Sequence, residues 1–180
     1  YTLNELKEID SYAKEKDIEI IPCIQTLAHL NAIVNWPAYR PIVDCDDILL
    51  VGDERTYELV DNMFASLAES LTTRRINIGM DEAHMICRGK YYDQHGDCDR
   101  TKVLIEHIIR ISEIGKKYGF TLSMWSDMFF RIASNGQYYN PDFEVSDDIK
   151  ALIPDNVELV YWDYYSKDKN HYDKMLKAHN

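Results

Sequence analysis

Ile76-Asn77-Ile78-Gly79-Met80-Asp81-Glu82-Ala83-His84 is the stretch whose reading decides the fold. Ile76 to Met80 predicts a short, mostly apolar strand of the kind buried on both faces of a parallel sheet. It runs directly into two adjacent carboxylates and a histidine. Three other segments have the same form. Ile18 to Ile24 leads into Gln25, Thr26 and His29; Phe120 to Trp125 into Ser126 and Asp127; Val157 to Tyr161 into Trp162, Asp163, Tyr164 and Tyr165. The strand starts carry nothing comparable. In α/β folds, sites are assembled at the C-terminal ends of strands, where side chains from neighbouring strands converge on one rim.

The segments between these strands read mostly as helices. Thr2-Leu3-Asn4-Glu5 has capping-box spacing and opens a helix over 3–16. Leu59, Met63, Phe64, Leu67 and Leu71 place one apolar face on a helix over 54–72. Asp99 caps a third helix that ends before Gly119, at a C-cap position. A last helix covers 170–180. Residues 31–52 predict a long surface loop with one short helical turn, and 86–99 a stretch without periodic structure. The tyrosine pairs Tyr91-Tyr92 and Tyr138-Tyr139 read as loop packing, and Asn135-Gly136 and Asn140-Pro141 as irregular chain. The order α-β-α-β-α-β-loop-β-α argues for parallel strands with helical crossovers. It fits an open α/β sheet or part of a (β/α)8 barrel. No glycine-rich phosphate loop follows any strand, which argues against a nucleotide fold. No internal repeat is present.

Length limits the choice. The chain has 180 residues, whereas a closed eight-unit barrel needs about 250. It begins inside a helix pattern without an initiator Met, signal peptide or membrane-length apolar run, and ends inside another. Residues 1–180 are therefore too few for a closed barrel and read as a piece cut from a longer protein. Thirty-one acidic against twenty basic residues give a net charge of −11, which repels phosphate backbones and anionic membranes. Neither nucleic acid nor a membrane is an expected partner. Cys23, Cys45, Cys87 and Cys98 are widely spaced and read as free thiols in a reducing, cytoplasmic setting. A Cys87–Cys98 disulfide is the alternative for that pair.

Aromatic rings beside carboxylates point to a sugar. Flat rings stack on the apolar face of a pyranose, while carboxylates bind hydroxyls and exchange protons with the glycosidic oxygen. Adjacent strand residues normally face opposite ways. Asp81 and Glu82 therefore reach one pocket only if the strand ends or bulges there. Each feature also has a structural reading: an Asp-Glu pair can be solvated surface, Trp125 and Trp162 core, and His29 a loop histidine. Their joint placement after successive strands is what favours a site. His84, Cys87, His95 and Cys98 lie close in sequence and raise a metal-dependent hydrolase as a rival, although their spacing departs from standard zinc patterns. A non-catalytic carbohydrate-binding module is a further rival.

Ile78-Gly79-Met80-Asp81-Glu82-Ala83-His84 resembles the family 20 glycoside hydrolases, the exo-β-N-acetylhexosaminidases. The resemblance covers the whole chain as barrel strands three to six. It implies a partial (β/α)8 barrel, with Asp81 and Glu82 as the catalytic pair, His29 after strand three, Trp125 after strand five and Trp162 after strand six. His29 follows Ala28 where many members have glycine. The family's strand-one arginine and its strand-seven and strand-eight residues are absent. The resemblance implies retaining, substrate-assisted hydrolysis of terminal β-linked GlcNAc or GalNAc, without cofactor or metal. Asp81 would orient the acetamido group, and Glu82 would act as acid and then base. Trp125 and Trp162 would wall the sugar, and His29 would tune the carboxylates. Asp127 would hold a neighbouring side chain, and Tyr164 would contact sugar. A different retaining glycosidase, with a nucleophile outside this segment, is the alternative on the same barrel. The arc itself is expected to self-associate through exposed barrel edges and to be inactive alone.

Overall fold

The structure, a computed structural model, describes residues 1–133, 138 and 145–179. Tyr139 and the Asn135-Gly136 and Asn140-Pro141 stretches lie outside the described residues. The chain folds as an α/β arc of a (β/α)8 barrel. Three parallel strands form its sheet in the order β3 (Arg75–Asn77), β4 (Thr121–Trp125) and β5 (Val157–Val160). Their registers pair Asn77 with Ser123 and Trp125 with Val160. The segment expected as a strand over 18–24 runs alongside β3 but makes only a single parallel bridge, Cys23 to Asn77. Two hydrogen bonds hold it there: Ile24 N–H donates to Asn77 O (2.9 Å) and Asn77 N–H to Pro22 O (2.9 Å). Pro22 has no N–H with which to extend that ladder.

α1 (Leu3–Lys14) carries the capping box, with Thr2 Oγ1 accepting from Glu5 N–H and the Glu5 carboxylate accepting from Thr2 N–H. α3 (Glu54–Ser70) is capped by Asp53 and buries Tyr57, Val60 and Phe64. α5 (Arg100–Lys117) is capped by Asp99 and buries Leu104, Ile108 and Ile111. α5 packs against β4, α3 against α5, and α1 against α3. Gly115 lets α5 approach β4 closely, because a Cβ there would sit 2.9 Å from the Leu122 side chain. On β4, Leu122 and Met124 are buried while Ser123 and Trp125 are only partly covered. By the two-residue period of a strand, the latter pair faces the concave side.

Several elements differ from expectation. The 31–52 loop contains α2 (Asn31–Val34), a 3-10 helix (Pro37–Ile42) and an antiparallel pair, β1 (Val43–Cys45) with β2 (Ile48–Leu49). It builds its own small core from Leu30, Val34, Ile42, Val43 and Leu49. These apolar residues are too irregularly spaced for either period, so only their tertiary contact reveals them. The 86–99 stretch, expected to lack periodic structure, includes the short α4 (Lys90–His95). Tyr91 and Tyr92 therefore sit on a helix, Tyr91 packed against the core and Tyr92 exposed. α6 (Asp127–Ala133) follows β4 after one residue, α7 (Asp147–Lys150) precedes β5, and α8 (Lys169–His179) ends the described chain. Among the described residues no helix is long and apolar enough to cross a membrane.

Candidate active site

Beyond β3, Ile78 N–H still donates to Ser123 O (2.8 Å) and Gly79 O accepts from Trp125 N–H (3.1 Å), and the chain then turns. Gly79, Met80 and Glu82 all adopt left-handed backbone, with φ of 71°, 69° and 53°. His29, across the rim, has φ of 60°. A non-glycine residue in this region costs of order 1–3 kcal/mol and persists only where its surroundings over-determine it. The surroundings do so here. Gln25 spans the turn, its Oε1 accepting from Met80 N–H (3.2 Å) and its Nε2 donating to Asp81 Oδ1 (2.9 Å). Thr26 Oγ1 donates to Ile78 O (2.8 Å), and Asn77 Oδ1 accepts from Gly79 N–H (2.8 Å). Asp127 Oδ2 accepts from Glu82 N–H (3.0 Å). The consecutive carboxylates thus avoid strand alternation and line one cavity.

That cavity has a volume of about 300 Å³ and is lined by Asp81, Glu82, Trp125, Trp162, Tyr164 and Tyr165. His29 Nε2 stands 3.4 Å from Asp81 Oδ2 and 3.6 Å from Glu82 Oε2, within reach of both carboxylates. Asp127 does not reach the cavity. It is fully buried behind Glu82, and burial pushes its carboxyl up, against the pull of the Glu82 amide and Arg131. It holds the backbone of Glu82 as well as facing a side chain, that of Arg131.

The Trp162 wall is braced by Tyr138, whose hydroxyl accepts from Trp162 N–H (3.0 Å) and whose ring lies 5.1 Å from the indole. Asp163 shapes the turn beyond. Its Oδ1 accepts from Tyr165 N–H (2.7 Å) and Ser166 N–H (2.9 Å), and its Oδ2 from the Tyr161 hydroxyl (2.8 Å). Burial acts to raise the Asp163 carboxyl, but these donors outweigh it and hold it below the usual carboxylate range. The turn presents Tyr164 and Tyr165, both highly exposed, at the mouth of the cavity.

Sequence reasoning missed three contributors. Tyr165 was inseparable from Tyr164 because their facing depends on the turn. Arg131 falls four residues after Asp127 on a helix that was not foreseen; its Nε lies 3.3 Å from Asp127 Oδ2. His107, wholly buried in α5, contacts Thr26 O through Nε2 (3.0 Å) and the Tyr57 hydroxyl through Nδ1 (3.4 Å). It braces the turn that carries His29.

The metal rival is not supported by placement. His95 packs against Tyr91 in a tilted pair, 4.5 Å between ring centroids, and Cys87 contacts Cys98. Among the described residues no group of three or more His, Cys, Asp or Glu is placed to hold a metal ion. All four cysteines are free thiols: Cys23 is exposed, Cys45 and Cys98 are half-buried, and Cys87 is buried.

A parallel arc with paired carboxylates and tryptophans on its C-terminal rim defines a barrel of the glycoside hydrolase type. Residues 1–178 match the catalytic domain of glycosyl hydrolase family 20, and the chain belongs to that family. It is similar to hexosaminidase D of Bos taurus, 26% identical over 173 residues, covering 91% of this chain and 47% of the relative. Similarity to hexosaminidase D of Homo sapiens is 23% over 185 residues, covering 98% and 36%. The solved β-N-acetylhexosaminidase of Bacteroides fragilis shares the fold, with a TM-score of 0.68 at 23% identity over 99% of this chain and 32% of that one. The chain spans less than half the length of each.

Proposed function

We propose that the full-length protein carrying this chain removes terminal, non-reducing β-linked N-acetylhexosamine (GlcNAc or GalNAc) from glycans, with retention of configuration and substrate assistance. Residues 1–180 are then one arc of a single catalytic domain. The observation that carries this reading is the turn that brings Asp81 and Glu82 into one cavity between Trp125 and Trp162. The family match and the names of the relatives support it.

In this mechanism the substrate's own acetamido oxygen attacks the anomeric carbon as Glu82 gives its proton to the departing glycosidic oxygen. Asp81 aligns the acetamido N–H and stabilises the positive charge that develops on the oxazolinium ring. Glu82, now ionised, takes a proton from water as that water opens the ring from the opposite face. Two inversions give net retention. Substrate assistance is a recognised departure from the usual pair of enzyme carboxylates. Trp125 and Trp162 wall the sugar and its acetamido group, and Tyr164 contacts it from the mouth. His29, shared between the two carboxylates, fixes their separation.

Replacing Glu82→Gln in the full-length protein tests the assignment. Turnover of methyl β-N-acetylglucosaminide is expected to fall at least a hundredfold, the scale of general acid–base catalysis. The matched β-glucoside, which lacks the acetamido group, is expected to be inert in the parent enzyme. Unchanged turnover in E82Q refutes the role of Glu82, and brisk turnover of the glucoside refutes substrate assistance.

A further inference from the structure

Glu82 is the side chain on which the proposed reaction turns, yet its immediate backbone and carboxylate are held from outside its own loop. Its N–H is taken by Asp127 Oδ2 (3.0 Å). Its Oε1 faces Arg131 Nη2 at 3.9 Å, and the same guanidinium presents Nε to Asp127 Oδ2 at 3.3 Å. Arg131 also lies over the Tyr138 ring, 5.6 Å from its centroid. Tyr138 accepts from Trp162 N–H (3.0 Å) and contacts Ser126 Oγ at 3.4 Å. One arginine therefore connects the backbone support of Glu82, the carboxylate of Glu82 and the residue that braces the tryptophan wall. Arg131 does not line the cavity, so it acts through these neighbours.

We propose that Arg131 is a positioning residue for acid catalysis, aiming the Glu82 carboxyl at the departing oxygen and locking it to the Trp162 wall. This inference rests on the assignment of Glu82 as the acid. Glu82 is otherwise weakly restrained: its side chain is 41% exposed, and among the described residues its second oxygen faces the half-exposed His29, at 3.6 Å. Its left-handed backbone adds a tendency to relax once its supports are removed. The flat, spread guanidinium suits this task better than a compact ammonium, because it sets positive charge against two carboxylates at once, 3.3 Å from Asp127 and 3.9 Å from Glu82. A misplacement of about 1 Å at a reacting group can cost on the order of a hundredfold in rate.

The test compares leaving groups. In methyl β-N-acetylglucosaminide the departing alkoxide needs the proton from Glu82, whereas in the 2,4-dinitrophenyl glycoside the phenolate departs without it. In the full-length Arg131→Gln variant, kcat/KM, which reports only the first step and so excludes the later role of Glu82 as base, is expected to fall at least tenfold for the methyl glycoside. The dinitrophenyl glycoside is expected to lose less than threefold. Arg131→Lys, which keeps the charge but not its spread, is expected to give an intermediate ratio. A purely structural role reduces both substrates by the same factor, and that result overturns the proposal, as does a ratio unchanged from the parent. If R131Q does not fold, the R131K ratio decides alone: a shift toward the dinitrophenyl substrate supports the proposal and a parental ratio overturns it. Glu82→Gln, run in parallel, separates the two levels. Unimpaired methyl glycosidase activity in E82Q removes the acid assignment and this inference with it. An inactive E82Q with a parental ratio in the Arg131 variants removes the inference only.

Discussion

Acidification is expected to destabilise this fold through His107 before the bulk of its carboxylates titrate. His107 is fully buried on α5. Its Nε2–H donates to Thr26 O and its Nδ1 faces the Tyr57 hydroxyl. That hydroxyl in turn accepts from Gly52 N–H (3.2 Å), leaving its own proton for the imidazole. One donating and one accepting nitrogen is the neutral ring. Burial drives its pKa from 6.5 down to about 4, assisted by the charge of Arg110 and resisted by the Thr26 carbonyl. Between those values the unfolded chain binds a proton that the folded chain refuses. Stability is therefore complete above pH 6.5 and is lost as pH falls toward 4. At 1.36 kcal/mol per pH unit the loss reaches roughly 3 kcal/mol, a large share of a typical folding free energy. Asp163, whose carboxyl is held low, contributes its own loss at more acidic pH, while the raised Asp127 acts in the opposite sense.

The measurement is urea unfolding of the full-length protein by tryptophan fluorescence at intervals between pH 7 and 4, for the parent and for His107→Gln. Glutamine keeps an N–H for Thr26 O and has no proton to gain. H107Q is expected to be about 1–2 kcal/mol less stable at pH 7 and to match or exceed the parent near pH 4. Because His107 braces the turn leading to His29, sugar hydrolysis is expected to decline over the same window in the parent. Parallel stability curves for the two proteins refute the reasoning.

Two further outcomes follow from the geometry. Gly79→Ala places a Cβ 2.1 Å from Gln25 Oε1 and 2.9 Å from Ile24 O at a φ of 71°. Moving Gln25 aside also frees Met80 N–H and Asp81, so a loss of about 2–4 kcal/mol is expected with near-complete loss of turnover; a variant within 0.5 kcal/mol of the parent, with full activity, contradicts this. The 180-residue arc produced alone leaves β5 paired only with β4 among the described residues. Such open edges recruit further strands, so sedimentation is expected to show dimers or larger species without hydrolytic activity, and a monodisperse active monomer defeats that expectation.

Sequence alone determined the features that depend on near neighbours. The caps at Thr2 and Asp99 and the periodic apolar faces of α3 and α5 are local quantities, and they marked those helices to within a few residues. The clustering of Asp81, Glu82, Trp125 and Trp162 after apolar strands was equally legible, because parallel crossovers oblige successive strand ends to share a rim. Tertiary structure decided what depends on long-range distance. The left-handed backbone of His29, Met80 and Glu82 runs against the intrinsic preference of each residue. At Met80 and Glu82 it is sustained by Gln25 and Asp127, 55 and 45 positions away from the amides they accept. Arg131 becomes significant only when α6 carries it beneath Glu82, and Asp127 only when burial turns it from a rim residue into a backbone acceptor. Propensity and period describe how a chain treats its next few residues. Aiming an acid at a bond requires contacts between segments far apart in sequence, and those exist only once the strands are side by side.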